Sequence, residues 1–402
     1  MVFISKVLLS KIDKFEFKKT NNKKILSKKI LDLEIKLNKT KTKLDKFYND
    51  KKIYGRKLYV VRKYSDDFFR YKHHIKSYLN NPLISNAWLK CYQLIFEFKL
   101  MNSIKKGQSL NYFDNASLPG NFILATFHYY ITHHKGTLSK FNWKANSLIE
   151  KQKYIKIPLE DTYGLYKCNK KKWLMNNNFN GDVSNIKVVK HIEKINKHSI
   201  NLYTSDLGFS SQQNYSNQEF LHITPNIGQI LCGIISLKKG GSMLTKQYTI
   251  FNNININIIA LMTFLFDKVY LTKPITSRVR NSEIYLICKS FLGTSNKYYK
   301  KIIDFLFDYL KTNKLNNQIK LNKKFIKDVE FFINKTIKAQ IDKINEIDKI
   351  MTVYDNDDLD KLENQNNKNT PISILWEKKY NIKKNTKEQL KYIKTFKSNK
   401  YK

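Results

Sequence analysis

The stretch TPNIGQILCGIISLKKGGSMLTK, residues 224–246, decides the fold. Thr224 is a candidate helix cap, Pro225 suits a first turn, and Ile227, Ile230, Leu231, Ile234 and Ile235 recur at helical spacing. Gly240 and Gly241 predict the stop, and GGSMLTK then reads as a strand ending at Lys246. Upstream, the β-rich run SINLYTSD ends at Asp206. Together these make a strand, helix, strand unit, the signature of an α/β domain. Downstream, an apolar helix over about 256–267 leads into DKVYLTKP, the packet ITSRVRNS, and then EIYLICKSF. A short connection between the last two strands makes a hairpin, so the final strand runs antiparallel. Ligands of open α/β sheets bind at the carboxyl ends of the parallel strands. Asp206 and Lys246 occupy such ends, and the hairpin brings the start of the last strand, with Glu283, back to the same edge.

The 402 residues, 42% of them hydrophobic, suffice for a real core. Lysine and arginine number 74 against 33 acidic residues, a net charge of +41, which points to a polyanionic partner and to nucleic acid first. Cys91, Cys168, Cys232 and Cys288 are widely spaced, without the pairing of a zinc site, so a reducing compartment and no structural metal are expected. The opening MVFISKVLLSKIDKF is too quickly charged for a secretory signal, and no run reaches about 18 apolar residues. The expectation is a soluble intracellular chain without a membrane span.

Four regions are expected. Residues 1–79 read as a basic helical extension, with Ile25, Leu26, Ile30, Leu33 and Leu37 at helical spacing. Residues 80–293 carry the α/β pattern, 294–350 read as a basic helical region, and 351–402 as a polar, loosely ordered tail. His133 and His134 are adjacent, cannot face one ligand from a regular element, and are read as loop residues.

Five stretches, in order, resemble the FtsJ-like ribose 2′-O-methyltransferases, above all the cap-specific enzymes of eukaryotes and large DNA viruses. SNAWLKCYQLI resembles the helix bearing the first catalytic lysine, YFDNASLPGNF the cofactor loop, SDLGF the aspartate-glycine motif, GGSMLTK the strand of the second lysine, and TSRVRNSEIYLICKSF the closing motif. The resemblance implies a Rossmann-like fold with a mostly parallel sheet and an antiparallel last strand, flanked here by lysine-rich helical extensions. It implies a tetrad of Lys90, Asp206, Lys246 and Glu283, with no metal required.

The physical need is a base, because a ribose hydroxyl is far too weak an acid to ionise at neutral pH. Lys246 is assigned that role, with Lys90 as its cationic neighbour, although an ordinary lysine is protonated at pH 7. A like charge and desolvation favour proton loss, while Asp206 and Glu283 oppose it. S-adenosyl-L-methionine is the implied cofactor, with Asp114, Ala116, Pro119, Gly120 and Phe122 in its loop and Asp182 near the adenine. The family commonly has glycine where Ala116 and Asn121 stand, which places the shape of this loop in question. Arg278 and Arg280 are the candidate RNA contacts. The implied substrate is the first transcribed nucleotide of capped messenger RNA. Ribosomal RNA and a non-catalytic RNA-binding role are the alternatives. A viral source would place the chain in the host cytoplasm, with the virion as a second location.

Overall fold

The computed structural model describes residues 3–20, 23–149, 161–208, 218–366 and 368–397. Nine strands are present among them: β1 (Phe3–Leu8), β2 (Phe17–Lys19), β3 (Leu110–Asn115), β4 (Phe141–Ala145), β5 (Ile200–Ser205), β6 (Leu237–Gln247), β7 (Phe266–Pro274), β8 (Ile284–Phe291) and β9 (Asn317–Ile319). Seven form one sheet in the order β1-β7-β8-β6-β5-β3-β4, and β2 pairs with β9 apart from it. The four strands β4, β3, β5 and β6 run parallel, and β8 is antiparallel to both β6 and β7. This is the α/β, Rossmann-like arrangement expected, with the antiparallel strand inserted beside the one that carries Lys246.

Alternation along the strands divides the core between the two faces of the sheet. Tyr112, Leu202, Leu244, Tyr285 and Ile287 pack with Trp88, Leu89 and Tyr92 of the Asn86–Phe98 helix. Their neighbours Phe113, Tyr203, Met243, Leu286 and Cys288 face Val188, Ile227, Ile230 and Ile258 on the other side. The Ile223–Ser236 helix starts one residue before Thr224, and His222 is its N-cap. It passes straight into β6, so Gly240 and Gly241 lie within the strand and do not terminate the helix. Pairing advances from Ile200↔Leu237 to Leu202↔Ser242, and Gly240 takes φ +82° within that bulge.

Two regions differ from their sequence reading. Phe3–Leu8 is an edge strand paired antiparallel with β7, not part of a helical arm. Its period of two, with Phe3 and Ser5 buried, outweighs the lysine-rich composition around it. Beyond residue 350, the expected loose tail instead forms the helices Asn356–Asn366, Pro371–Tyr380 and Lys387–Lys397. Trp376 anchors the second of these: it is fully buried against Phe68, Tyr71, Tyr92 and Tyr380, and its indole N–H donates to Gln93 Oε1 at 3.3 Å. The lysine-rich helices Lys28–Thr42 and Lys323–Val353 pack together through Ile30, Leu37, Ile337 and Ile341. Among the described residues no helix is long and apolar enough to cross a membrane.

Candidate active site

Strand register builds the site. Ser205 pairs with Thr245 across β5 and β6, so Asp206 emerges beside Lys246. Lys246 pairs with Tyr285 across β6 and β8, so Glu283 lies two residues away on the same face. Lys90 comes from the second turn of the Asn86–Phe98 helix, which Ser85 caps by accepting from Ala87 N and Trp88 N.

All four residues meet as two linked ion pairs. Lys90 Nζ lies 3.0 Å from Glu283 Oε1 and 3.1 Å from Oε2. Lys246 Nζ lies 3.4 Å from Asp206 Oδ1 and donates to the Asp206 carbonyl at 2.8 Å. Both lysines are more than nine-tenths buried. Tyr285 Oη donates to Asp206 Oδ1 at 3.0 Å, and Ser277 Oγ donates to Glu283 Oε1 at 2.7 Å. Gly208 admits the lysine head, since a Cβ there would stand 2.6 Å from Lys246 Nζ. Phe209, the last residue of SDLGF, lies outside the described residues.

The electrostatics are those of a cationic site held by carboxylates. Burial acts to raise the Glu283 pKa, but Lys90, Lys246 and Lys273 overcome it and pull it down to about 2. Burial acts to lower Lys246, yet Asp206, then Tyr248 and Glu283, hold it above the ordinary lysine value. The carboxylates thus prevail over desolvation, and the lysine rests protonated.

Sequence reasoning missed Lys273. Its side chain is buried, and its ammonium donates to the carbonyls of Asn281 and Glu283, the latter at 2.8 Å. Burial pushes its pKa down to about 8, with Glu283 opposing and Lys90 adding to the fall. The available signal was a lysine at the end of the apolar strand KVYLTKP. Tyr285 was also missed, although its spacing from Glu283 places both on one face.

At the β3 edge, Asp114 does not point outward. Its oxygens accept from Thr204 Oγ1 and Ser117 Oγ, each at 2.6 Å, and burial raises its pKa to about 7 against those bonds. It braces the turn. Ala116 adopts φ +51°, the left-handed conformation that favours glycine, so the turn keeps its shape without one. Pro119 follows a cis peptide bond, and Gly120, at φ +107°, is the N-cap of the Asn121–His134 helix. Phe122 turns its ring into the core, leaving its backbone at the turn. Ser117 N donates to the Asn146 carbonyl, and Asn146 Nδ2 donates to the Gly181 carbonyl at 2.9 Å, which brings Asp182 to this edge. Asp182 Oδ1 accepts from Ser184 N at 2.9 Å ahead of the Ile186–Asn196 helix. His133 and His134 end the Asn121–His134 helix and are not loop residues; His133 Nε2 pairs with Tyr92 Oη at 2.9 Å.

The two arginines part. Arg278 pairs with buried Asp66 at 3.0 Å and lines a cleft of about 440 Å³ that also reaches Lys90 and Glu283. Arg280 donates to Tyr48 Oη at 2.8 Å and is not among the residues lining the cleft.

A family model described as FtsJ-like methyltransferase matches residues 83–291, just over half of the chain. The chain belongs to the FtsJ-like methyltransferase family. All four charged residues fall inside the matched stretch. Among FtsJ-like relatives, the "Probable methyltransferase EP424R" of African swine fever virus is 35% identical over 269 residues, 64% of this chain and 60% of that protein. "Uncharacterized protein L511" of Acanthamoeba polyphaga mimivirus is 32% identical over 236 residues, covering 57% of this chain and 29% of that one. The mouse "Cap-specific mRNA (nucleoside-2′-O-)-methyltransferase 2" is 28% identical over 229 residues, 55% of this chain and 29% of that enzyme. The matched region therefore spans about 60% of the length of the African swine fever virus relative and less of the other two.

Proposed function

We propose that this chain is an S-adenosylmethionine-dependent RNA ribose 2′-O-methyltransferase that acts on the first transcribed nucleotide of capped messenger RNA. The observation that carries the reading is the meeting of Lys90–Glu283 and Lys246–Asp206 at the carboxyl edge of β5 and β6. The activity named for the mouse relative supports the cap-linked substrate, and the net charge of +41 supports RNA. Two of the named relatives are viral, which supports a viral source and action in host cytoplasm.

The cofactor's chemistry is an activated methyl group on a sulfonium. The residues at the β3 edge fit it: the N–H groups at the start of the Asn121–His134 helix suit a carboxylate, and Asp182 suits a nucleoside. Ala116, Pro119, Gly120 and Phe122 would contribute through the backbone of the turn, and Asp114 by bracing it.

Lys246 takes the ribose 2′-hydroxyl proton, while the cofactor, when bound, would supply the methyl group to that oxygen and keep the electron pair of the broken methyl–sulfur bond as a neutral thioether. The lysine must first release the proton that Asp206 stabilises, so ribose binding has to weaken the pairing with Asp206. Lys90, held by Glu283, keeps a positive charge nearby and favours that release. Tyr285 fixes Asp206, and Lys273 and Ser277 fix Glu283. Positioning the oxygen in line supplies much of the remaining acceleration.

The test is Lys246→Met, assayed with labelled cofactor and capped RNA. Transfer should fall by about 10²–10⁴-fold, the usual contribution of a positioned base. Cofactor binding should stay within about twofold. Near-normal turnover would remove Lys246 from the reaction.

A further inference from the structure

The cleft beside the tetrad has a wall that the family match does not include. Its floor holds Lys90 and Glu283, but one side is built by Phe69, Lys72, His73 and Lys76 of the Phe69–Tyr78 helix. That helix precedes the matched stretch 83–291. We infer that this wall binds the single-stranded RNA nucleotide adjacent to the methylated one, its phosphate on Lys72, Lys76 and Arg278 and its base against Phe69 and His73. The inference rests on the RNA substrate proposed above.

Charge balance carries the phosphate half. Asp66 sits behind the wall, 4% exposed, 2.7 Å from Lys72 Nζ and 3.0 Å from Arg278 Nη2. It also accepts from Phe68 N and Asn86 Nδ2, so its lone pairs are heavily used. One carboxylate thus positions two cations and neutralises only one of them. Glu283, the carboxylate lining the cleft, is matched by Lys90. Lys76 adds a further cation, so the cleft presents net positive charge to an incoming group. A planar guanidinium held from behind leaves an edge for phosphate oxygens.

Ring placement carries the base half. Phe69 is half-buried and His73 exposed, with ring centroids 5.4 Å apart and planes at 63°, an edge-on pair beside open volume. Lys63 and Lys72 lie 5.7 and 5.6 Å from the Phe69 ring centre. These ammonium groups repel a positively charged 7-methylguanine, so the ring suits a neutral base. The cap guanine is therefore assigned elsewhere.

The experiment measures binding of a short, uncapped, labelled single-stranded RNA to the full chain by anisotropy across a salt series. Lys76→Gln should weaken binding several-fold at low salt and reduce the slope of log affinity against log salt by about 0.7. Lys76→Arg should restore both. Phe69→Leu should weaken binding about tenfold with the slope unchanged. Should Phe69→Leu fail to fold, exposed His73→Ala carries the same test. Cofactor affinity should be unaltered throughout. Unchanged RNA affinity and slope in variants that bind cofactor would overturn the inference. Binding is read without turnover. A chain that binds as predicted yet methylates no RNA overturns the proposed function and leaves the cleft as an RNA site.

Discussion

Lys246 donates to the main-chain carbonyl of Asp206 at 2.8 Å while its ammonium stands 3.4 Å from that residue's carboxylate. The same residue therefore holds the proposed base in place and holds its proton on. With its pKa raised above the ordinary lysine value, the neutral fraction of Lys246 grows about tenfold per pH unit below that pKa. Methyl transfer at subsaturating RNA should climb with pH through about pH 9 with a slope near one. Asp206→Asn removes the largest raising influence, so its profile should level off at lower pH, at a reduced maximum. A flat wild-type profile from about pH 7 to 9 would show that no such proton loss limits the reaction.

Lys273 gives a prediction with two readouts. Its ammonium fixes the backbone of Glu283, so Lys273→Met should lower the transfer rate about tenfold, or 1.4 kcal/mol, with cofactor affinity kept. A lysine lowered to about 8 in the fold and at 10.5 when unfolded binds more protons unfolded between those values. Wild-type stability from this group therefore rises with pH across that window, and the methionine variant lacks the rise. Denaturant titrations at about pH 8 and pH 10 check this, and identical pH trends in the two proteins would contradict it.

Ala116 sits at φ +51°, a conformation costing a non-glycine residue about 1–2 kcal/mol. Glycine relieves that cost but gives the unfolded chain more freedom, worth about 0.4–1 kcal/mol. Ala116→Gly should thus stabilise the protein by about 0.5–1 kcal/mol, with cofactor binding retained. A destabilised variant would mean that the alanine methyl contributes packing that outweighs the strain.

Trp376 tests whether the C-terminal helices are part of the fold. Its complete burial among Phe68, Tyr71, Tyr92 and Tyr380 predicts a loss of about 3–5 kcal/mol for Trp376→Ala. A loss below about 1 kcal/mol in chemical denaturation would mean that this helix is only loosely applied.

Features set by short-range pattern were legible in the sequence. The stripe from Ile227 to Ile235 and the strands ending at Asp206 and Lys246 revealed the α/β unit, and the hairpin logic placed Glu283 at the correct edge. What stayed hidden depends on distant partners. Phe3–Leu8 is a strand because β7 offers an open edge, and the Pro371–Tyr380 helix is anchored because Gln93 and Tyr92 await Trp376 some 280 positions earlier. Lys273 was hidden for the same reason, since its carbonyl partners appear only once the 275–283 turn closes. Arg278 and Arg280 looked equivalent until Asp66 and Tyr48 took one each.

The central claim is methylation of a ribose 2′-oxygen next to a cap. It is tested most directly by incubating the full chain with labelled S-adenosylmethionine and two RNAs differing only in the cap, then mapping the label by nuclease digestion and mass analysis. The account predicts one methyl group on the 2′-oxygen of the first transcribed nucleotide of the capped RNA. Label on a base, at an internal ribose of both RNAs alike, or on neither RNA would contradict it.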